Sequence, residues 1–123
     1  MLHPQNKAKV YRLKGKTNVD LLFETGLVIH TKTLLLKTIK DEKKQALFIG
    51  VSVPKRLFKK AVDRNKIKRQ LRESIRLLPK ELLFSGSAML IYKGKTKPFS
   101  TELNTGCLEI FQLFHSKSDE SYS

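Results

Sequence analysis

The residues best suited to chemistry in this chain are the basic side chains of the stretch AVDRNKIKRQLRESIR at positions 61–76. In a helix these side chains form two adjacent i, i+4 rows: Arg64, Lys68, Arg72 and Arg76, and then Asn65, Arg69 and Glu73. Arginine suits phosphate recognition because its planar fork bonds two oxygens at once. Glu73 can hold the Arg69 guanidinium in place across one turn. The pattern therefore predicts a rigid cationic surface that binds a polyanion.

The charge of the whole chain supports this prediction, because it is strongly positive and unevenly distributed. Twenty-five Lys and Arg against eleven Asp and Glu give a net charge of +14. The segment from Pro54 to Lys80 holds eleven bases and only two acids, Asp63 and Glu73, and so carries +9 of that total. A solvated helix face normally interleaves acids with bases, and a solubilising surface mixes both signs. We therefore expect nucleic acid as the partner, with a membrane surface as the second choice.

Other kinds of chemistry find little support in the sequence. His3, His30 and His115 are scattered, and no His/Cys cluster has the spacing of metal ligands. No Ser–His–acid arrangement and no glycine-rich phosphate loop is evident. Cys107 is the only cysteine, which rules out an intrachain disulfide and fits a reducing compartment. We predict no catalytic residue and no metal site, so a metal-dependent nuclease in its own right is the least favoured function.

The elements that must position the basic residues are those of a small α+β domain. Apolar periodicity predicts helices near 17–26, 61–78 and 100–115, and strands near 30–40, 46–53 and 87–92. The order is helix-strand-strand-helix-strand-helix, which favours a two-layer sandwich of helices against a small central sheet. We place this single domain at residues 12–116, after a flexible basic arm (1–11) and before a disordered tail (117–123). Ile67, Leu71, Ile75 and Leu78 form the buried row of the basic helix.

The strand at 46–53 has two different faces. Leu47, Ile49, Val51 and Val53 share one face by period two, and Phe48, Gly50 and Ser52 share the other. Small side chains beside one aromatic would let a ligand approach the second face closely. They would equally suit a packed bulge or a helix that crosses the sheet, and the sequence leaves ligand approach and packing both open.

The localisation expected from the sequence is cytoplasmic. No apolar run approaches the roughly 20 residues that span a bilayer. The first residues, MLHPQNKAKVYRLKGK, lack the apolar stretch of a signal peptide. We therefore expect no association with a membrane.

The segment VSVPKRLFKKAVDRNKIKRQLRESIR resembles the signature segment of the bacterial ribonuclease P protein component. The shared pattern is Arg-Asn, two residues, Lys-Arg, two residues, Arg-Glu. RLKGKTNVDLLFETG is similar to the opening helix of that family, and the resemblance runs from about Arg12 to Phe114. The chain departs from the family at Val19, where a first aromatic is usual, at Lys37, where some members have an aromatic, and at Phe58, where a small residue is common.

The resemblance implies a sheet with a left-handed βαβ crossover that carries the basic helix. It also implies a ribonucleoprotein in which the RNA performs the hydrolysis that removes the 5′ leader from precursor tRNA. Magnesium would be bound mainly by the RNA, and no obligate protein partner is expected. The residues implied to bind the catalytic RNA are Lys55, Arg64, Asn65, Lys68, Arg69 and Arg72. The residues implied to line a cleft for the leader, between the first helix and the sheet, are Phe23, Lys37, Phe48 and Ser52.

The alternative function is that of a structural RNA-binding protein, for example of the ribosome. Such a protein would share the basic helix but would have no effect on precursor tRNA processing.

Overall fold

A five-stranded mixed sheet organises the chain. The computed structural model describes residues 9–120. The strands are β1 (Val10–Arg12), β2 (Leu27–His30), β3 (Leu34–Lys40), β4 (Leu47–Ser52) and β5 (Gly86–Tyr92). The helices are α1 (Lys16–Thr25), α2 (Ala61–Arg76) and α3 (Ser100–Glu120). The α+β class is confirmed.

The order of strands across the sheet is β1-β4-β5-β3-β2. β4 lies parallel to its neighbours β1 and β5, whereas β3 lies antiparallel to β5 and β2. Since β4 and β5 are adjacent and parallel, α2 is the helix of a βαβ crossover, as the family resemblance implies. The left hand of that crossover stays a prediction.

The main core lies between one face of the sheet and the pair of helices α2 and α3. Leu36, Leu47 and Leu90 from the sheet pack there with Leu71 of α2 and Phe111 of α3, and all five are fully buried. Helix α1 lies on the opposite face, where it packs on β3 and β5. The sheet therefore has helices on both faces. Helices α2 and α3 and the sheet form two layers, as predicted from the sequence, and α1 adds a further layer on the other face of the sheet.

Helix α2 is fixed by both apolar and polar contacts. Its apolar row behaves as predicted, with Ile67, Leu71 and Ile75 all buried. Ser74 is 2% exposed, and its hydroxyl forms a 2.6 Å hydrogen bond with the Oδ1 atom of Asn104 on α3. These contacts set the rotation of α2 about its axis, and so they determine which side chains face solvent.

The structure differs from the predicted domain limits at both ends. Val10 and Tyr11 were predicted to belong to the flexible arm, but they lie in β1, which pairs with β4. The Leu47 N–H donates to the Lys9 carbonyl oxygen and the Leu13 N–H donates to the Ile49 carbonyl oxygen. Helix α3 continues to Glu120, four residues into the segment predicted as a disordered tail. The remaining parts of the predicted arm (1–8) and tail (121–123) lie outside the described residues.

A further feature of the core concerns the large side chain at position 58. Phe58 is 7% exposed and packs with its ring centroid 6.1 Å from that of Tyr92, so the large residue belongs to the core.

Among the helices within residues 9–120, none combines the length and apolar character that crossing a bilayer requires.

Candidate nucleic-acid interface

The solvent-facing side of α2 carries most of the residues predicted to bind RNA. Asn65, Arg69 and Arg72 are exposed, and Lys68 is partly buried. Within the described part of the chain, Lys68, Arg69 and Arg72 form no ion pair with a carboxylate. The charge of these three side chains is therefore directed to solvent, where phosphate oxygens could replace water.

The one acid on this surface pairs with a different arginine from the one predicted. The Glu73 carboxylate lies 3.1 Å from Nη1 of Arg76, one turn further along the helix, so the expected pair with Arg69 is wrong. Two physical preferences explain this choice. A glutamate N-terminal to its basic partner is the better orientation on a helix, and Arg76 lies in the last turn, where a cation complements the helix dipole. As a consequence Arg69 stays available to a ligand.

The Arg64 side chain adds positive charge to α2 and also forms hydrogen bonds with the loop that precedes the helix. Its Nη1 donates to the carbonyl oxygens of Phe58 and Lys59, at 2.8 and 2.9 Å. The first turn of α2 has no side-chain cap at Lys60, and the Arg64 guanidinium binds the preceding loop instead. Lys55 lies exposed in the turn that begins at Pro54 and leads into this loop.

A groove connects α2 to the edge of the sheet. A cavity of about 310 Å³ lies between β1, β4 and the C-terminal half of α2, and it is lined in part by Arg12, Arg72 and Arg76. Sequence reasoning missed Arg12 because it did not recognise β1. A phosphate chain that follows α2 would meet this third arginine at the sheet edge.

The four residues predicted for the leader cleft lie on or above the face of the sheet that α1 covers. Lys37 and Phe23 are in direct contact, since Nζ of Lys37 lies 4.3 Å from the centre of the Phe23 ring. Phe48, Gly50 and Ser52 follow one another along β4 on this face. Lys37 and Gly50 belong to the same cross-strand row, because both pair with Met89.

Gly50 lies close to the side chains of Met89 and Leu13. A Cβ atom at this position would lie 3.1 Å from the terminal methyl carbon of Met89 and 3.6 Å from the Cβ atom of Leu13. At this position the small residue therefore leaves room for the Met89 side chain of β5, and no helix packs against it; ligand approach to Phe48 and Ser52 on the same face stays a prediction.

The aromatic part of the cleft includes a residue that sequence reasoning missed. The Tyr11 ring stacks on the Phe48 ring with centroids 5.3 Å apart, and Lys44 Nζ lies 5.3 Å from the Phe48 centroid. A cavity of about 190 Å³ beside Phe48 is lined by Arg12, Leu13, Lys14, Asn18, Lys44 and Phe48. This lining contains three bases and no acid, together with one aromatic ring. Such a combination suits a single strand of nucleic acid, which offers phosphates and unpaired bases.

The comparisons with known proteins agree with this geometry. Residues 8–113 match the family model of ribonuclease P. The ribonuclease P protein component of Rickettsia bellii is 34% identical over 80% of this chain and 92% of its own length. The corresponding protein of an Exiguobacterium species is 30% identical over 85% of this chain and 90% of its own length.

Two solved structures show the same fold. The ribonuclease P protein of Staphylococcus aureus superposes with a TM-score of 0.74, covering 85% of this chain and 95% of its own, at 22% identity. The ribonuclease P protein of Thermotoga maritima gives a TM-score of 0.69, covering 81% of this chain and 94% of its own, also at 22% identity.

Proposed function

This chain belongs to the ribonuclease P protein family, the protein subunits of a tRNA-processing endonuclease, and from that membership we propose a division of labour between two surfaces. The exposed face of α2 binds the catalytic RNA through Lys55, Arg64, Asn65, Lys68, Arg69 and Arg72. The cleft under α1 binds the 5′ leader of precursor tRNA through Phe23, Lys37, Phe48 and Ser52, joined by Tyr11.

The observation that carries the first assignment is the lack of carboxylate partners for Lys68, Arg69 and Arg72 among the described residues. Unpaired like charges on one helix repel each other, so they destabilise the free protein. A polyanion relieves that repulsion and releases its own counterions at the same time. Because the helix is already fixed in the βαβ crossover, binding requires no ordering of its backbone.

The second assignment is supported by the different composition of the cleft. Helix α2 itself is cationic and contains no aromatic residue between Ala61 and Arg76, whereas the cleft holds Phe23 and Phe48 next to Lys37 and Lys44. Bases that are unpaired can stack on such rings, and stacking tolerates any sequence because every base has a π-face. A leader of variable sequence is a ligand of this kind.

The RNA performs the hydrolysis in this proposal, and the protein assists by neutralising phosphates. Magnesium prefers oxygen ligands and keeps several of its waters, so phosphate oxygens of the RNA suit it better than the cationic surface of α2. The protein helps indirectly, because it reduces the repulsion between RNA strands that magnesium would otherwise have to screen. We propose that the complex works in the cytoplasm.

Reconstitution at low magnesium tests this function. Cleavage of precursor tRNA by the catalytic RNA is measured with the wild-type protein, without protein, and with the Arg69→Ala/Arg72→Ala variant. We expect the wild-type protein to increase leader removal and the variant to lose most of that increase. The double variant Lys32→Ala/Lys117→Ala removes the same charge from exposed positions outside α2 and should behave as wild type. A wild-type protein that brings no improvement would contradict the proposal.

The alternative of a ribosomal RNA-binding protein is less favoured, because the family match covers residues 8–113 and includes both proposed surfaces. The same reconstitution distinguishes the two, since a ribosomal protein would not change leader removal.

A further inference from the structure

The segment between β5 and α3 carries an exposed aromatic residue next to α2. The Phe99 side chain is 74% exposed, whereas Phe58, Phe84, Phe111 and Phe114 are all buried. A cavity of about 380 Å³ lies between this segment and α2, and Phe99, Lys66 and Gln70 contribute to its lining. This cavity borders α2 on the side of Lys66, so it is separate from the groove that Arg72 and Arg76 line.

The position of Phe99 in the fold gives an aromatic residue no structural benefit. Phe99 immediately precedes α3, and its carbonyl oxygen accepts the hydrogen bond from the Leu103 N–H, as an N-cap residue does. Ser, Thr, Asp and Asn are preferred there because their side chains bond to the first free N–H groups of the helix. A phenylalanine can form no such bond, and here its ring is not buried either. The ring is therefore both unfavourable for capping and exposed to water.

The surrounding segment holds Phe99 in a defined place. Gln70 Nε2 of α2 donates to the Pro98 carbonyl oxygen at 3.1 Å and to the Ser100 Oγ at 3.2 Å. Lys97 Nζ lies 3.1 Å from the Asp63 carboxylate. The backbone N–H of Phe99 donates to Glu102 Oε1 at 3.0 Å. These contacts tie the residues on both sides of Phe99 to α2 and to the start of α3.

The turn that leads into this segment is also fixed. The Tyr92 hydroxyl donates to the Thr96 carbonyl oxygen at 2.7 Å, and burial together with the nearby Glu102 raises the pKa of Tyr92, so it stays a donor at neutral pH. The Tyr92 hydroxyl occupies the space that a Cβ atom at Gly94 would need. An exposed ring on such a well-held segment is pre-organised for a ligand.

An unpaired cation beside Phe99 suits nucleic acid as that ligand. Lys66 lines the same cavity as Phe99, is exposed and forms no ion pair within the described residues. The two acids near Phe99 are already engaged, since Asp63 pairs with Lys97 and Glu102 accepts from the Phe99 N–H. Lys66 precedes Arg69 by three positions, so the two side chains are neighbours on the surface of α2. A backbone that contacts Arg69 can therefore continue towards Lys66 and bring a base over Phe99.

We propose that Phe99 stacks on an unpaired base of the catalytic RNA while Lys66 contacts a phosphate beside that base. This inference rests on the function proposed above, because it assumes that α2 binds the RNA. It adds a stacking contact to a surface that otherwise recognises phosphate alone. That contact would favour RNA with an unpaired nucleotide at this place over a regular duplex.

A tryptophan at this position would report the contact directly. The natural chain contains no tryptophan, so Phe99→Trp introduces a single fluorophore. We expect its emission to fall as catalytic RNA is added, with the same midpoint as binding measured separately by filter retention. Leu108→Trp on the exposed side of α3 is the control and should keep its emission. If RNA binds with full affinity and the emission of the Phe99→Trp protein does not change, this inference fails and the proposed function stands.

A change of emission on concentrating the Phe99→Trp protein without RNA would show that the ring meets a second copy of the chain, and would overturn the inference. Failure of every variant and of the wild type to bind the RNA would instead overturn the proposed function.

A second variant separates stacking from structure. Phe99→Ser removes the ring and supplies a preferred capping residue, so the unfolding midpoint should not fall. RNA affinity should fall by about 5- to 150-fold, the range for one lost base-stacking contact, with the salt dependence unchanged. Lys66→Ala should instead reduce the salt slope by about 0.7–0.9. Unchanged affinity in Phe99→Ser, or a clear loss of stability, would contradict the role assigned to the ring.

Discussion

Replacing Phe23 by alanine should weaken the binding of precursor tRNA only when the leader is present. The ring is 44% exposed, and Lys37 Nζ lies 4.3 Å from its centroid. Because α1 holds no second aromatic residue, we expect Phe23 to stack on a single base. Part of the ring surface is already in contact with protein, which favours the lower part of the stacking range. The expected loss is about 1–2 kcal/mol, or about 5- to 30-fold in Kd.

The assay compares two substrates of the reconstituted complex, precursor tRNA with its leader and the same tRNA without it. Phe23→Ala should raise the Kd of the first and leave the Kd of the second unchanged. Phe23→Tyr keeps the ring and should bind as wild type. Leu21→Ala, which truncates another exposed residue of α1 (49% exposed), controls for a general effect on the helix. An equal loss for both substrates, or no loss for either, would refute the assignment of Phe23 to the leader.

Two further predictions concern stability. Ser74→Ala should destabilise the protein by about 1–3 kcal/mol, because it leaves the Asn104 side chain without its buried partner. Urea unfolding measures this loss, Ser74→Ala/Asn104→Leu should recover much of it, and a neutral single variant would contradict the role of the hydrogen bond. Burial raises the pKa of Cys107 from 9.0 to about 12. Between pH 9.0 and about 12 the thiol keeps its proton in the folded state and loses it in the unfolded state. The free energy of unfolding should therefore fall as pH rises through this range, by up to about 1.4 kcal/mol per pH unit from this group. Cys107→Ala should lack this contribution in urea unfolding at pH 8 and pH 10, and equal pH slopes for the two proteins would show the expectation to be wrong.

Helix α2 could be predicted from the sequence because its signal is local and repeated. Ile67, Leu71 and Ile75 recur at helical spacing over about two turns, and basic residues occupy many of the other positions. Which arginine pairs with Glu73 could not be decided in the same way. Arg69 and Arg76 both lie within one turn of Glu73, and the choice depends on orientation and on the end of the helix.

The strands β1 and β2 were missed because they are short and lie at the edges of the sheet. Three residues of β1 and four of β2 are too few to establish a period. Their stability comes from pairing with β4 and β3, which is a property of the folded sheet. As a result the stack of Tyr11 on Phe48, which depends on β1, could not be derived from the sequence. The contact between Phe23 and Lys37 needed both the register of β3 and the position of α1.

The salt dependence of RNA binding tests most directly whether the exposed charges of α2 hold the catalytic RNA. The slope of log K against log salt is measured for the wild type, for Arg69→Ala/Arg72→Ala and for the charge-matched control Lys32→Ala/Lys117→Ala. Each lost phosphate contact reduces the magnitude of the slope by about 0.7–0.9. The slope of the α2 variant should therefore be smaller in magnitude than that of the wild type by about 1.4–1.8, and the slope of the control should equal that of the wild type. An α2 variant with the wild-type slope, or a control that loses as much, would contradict the account.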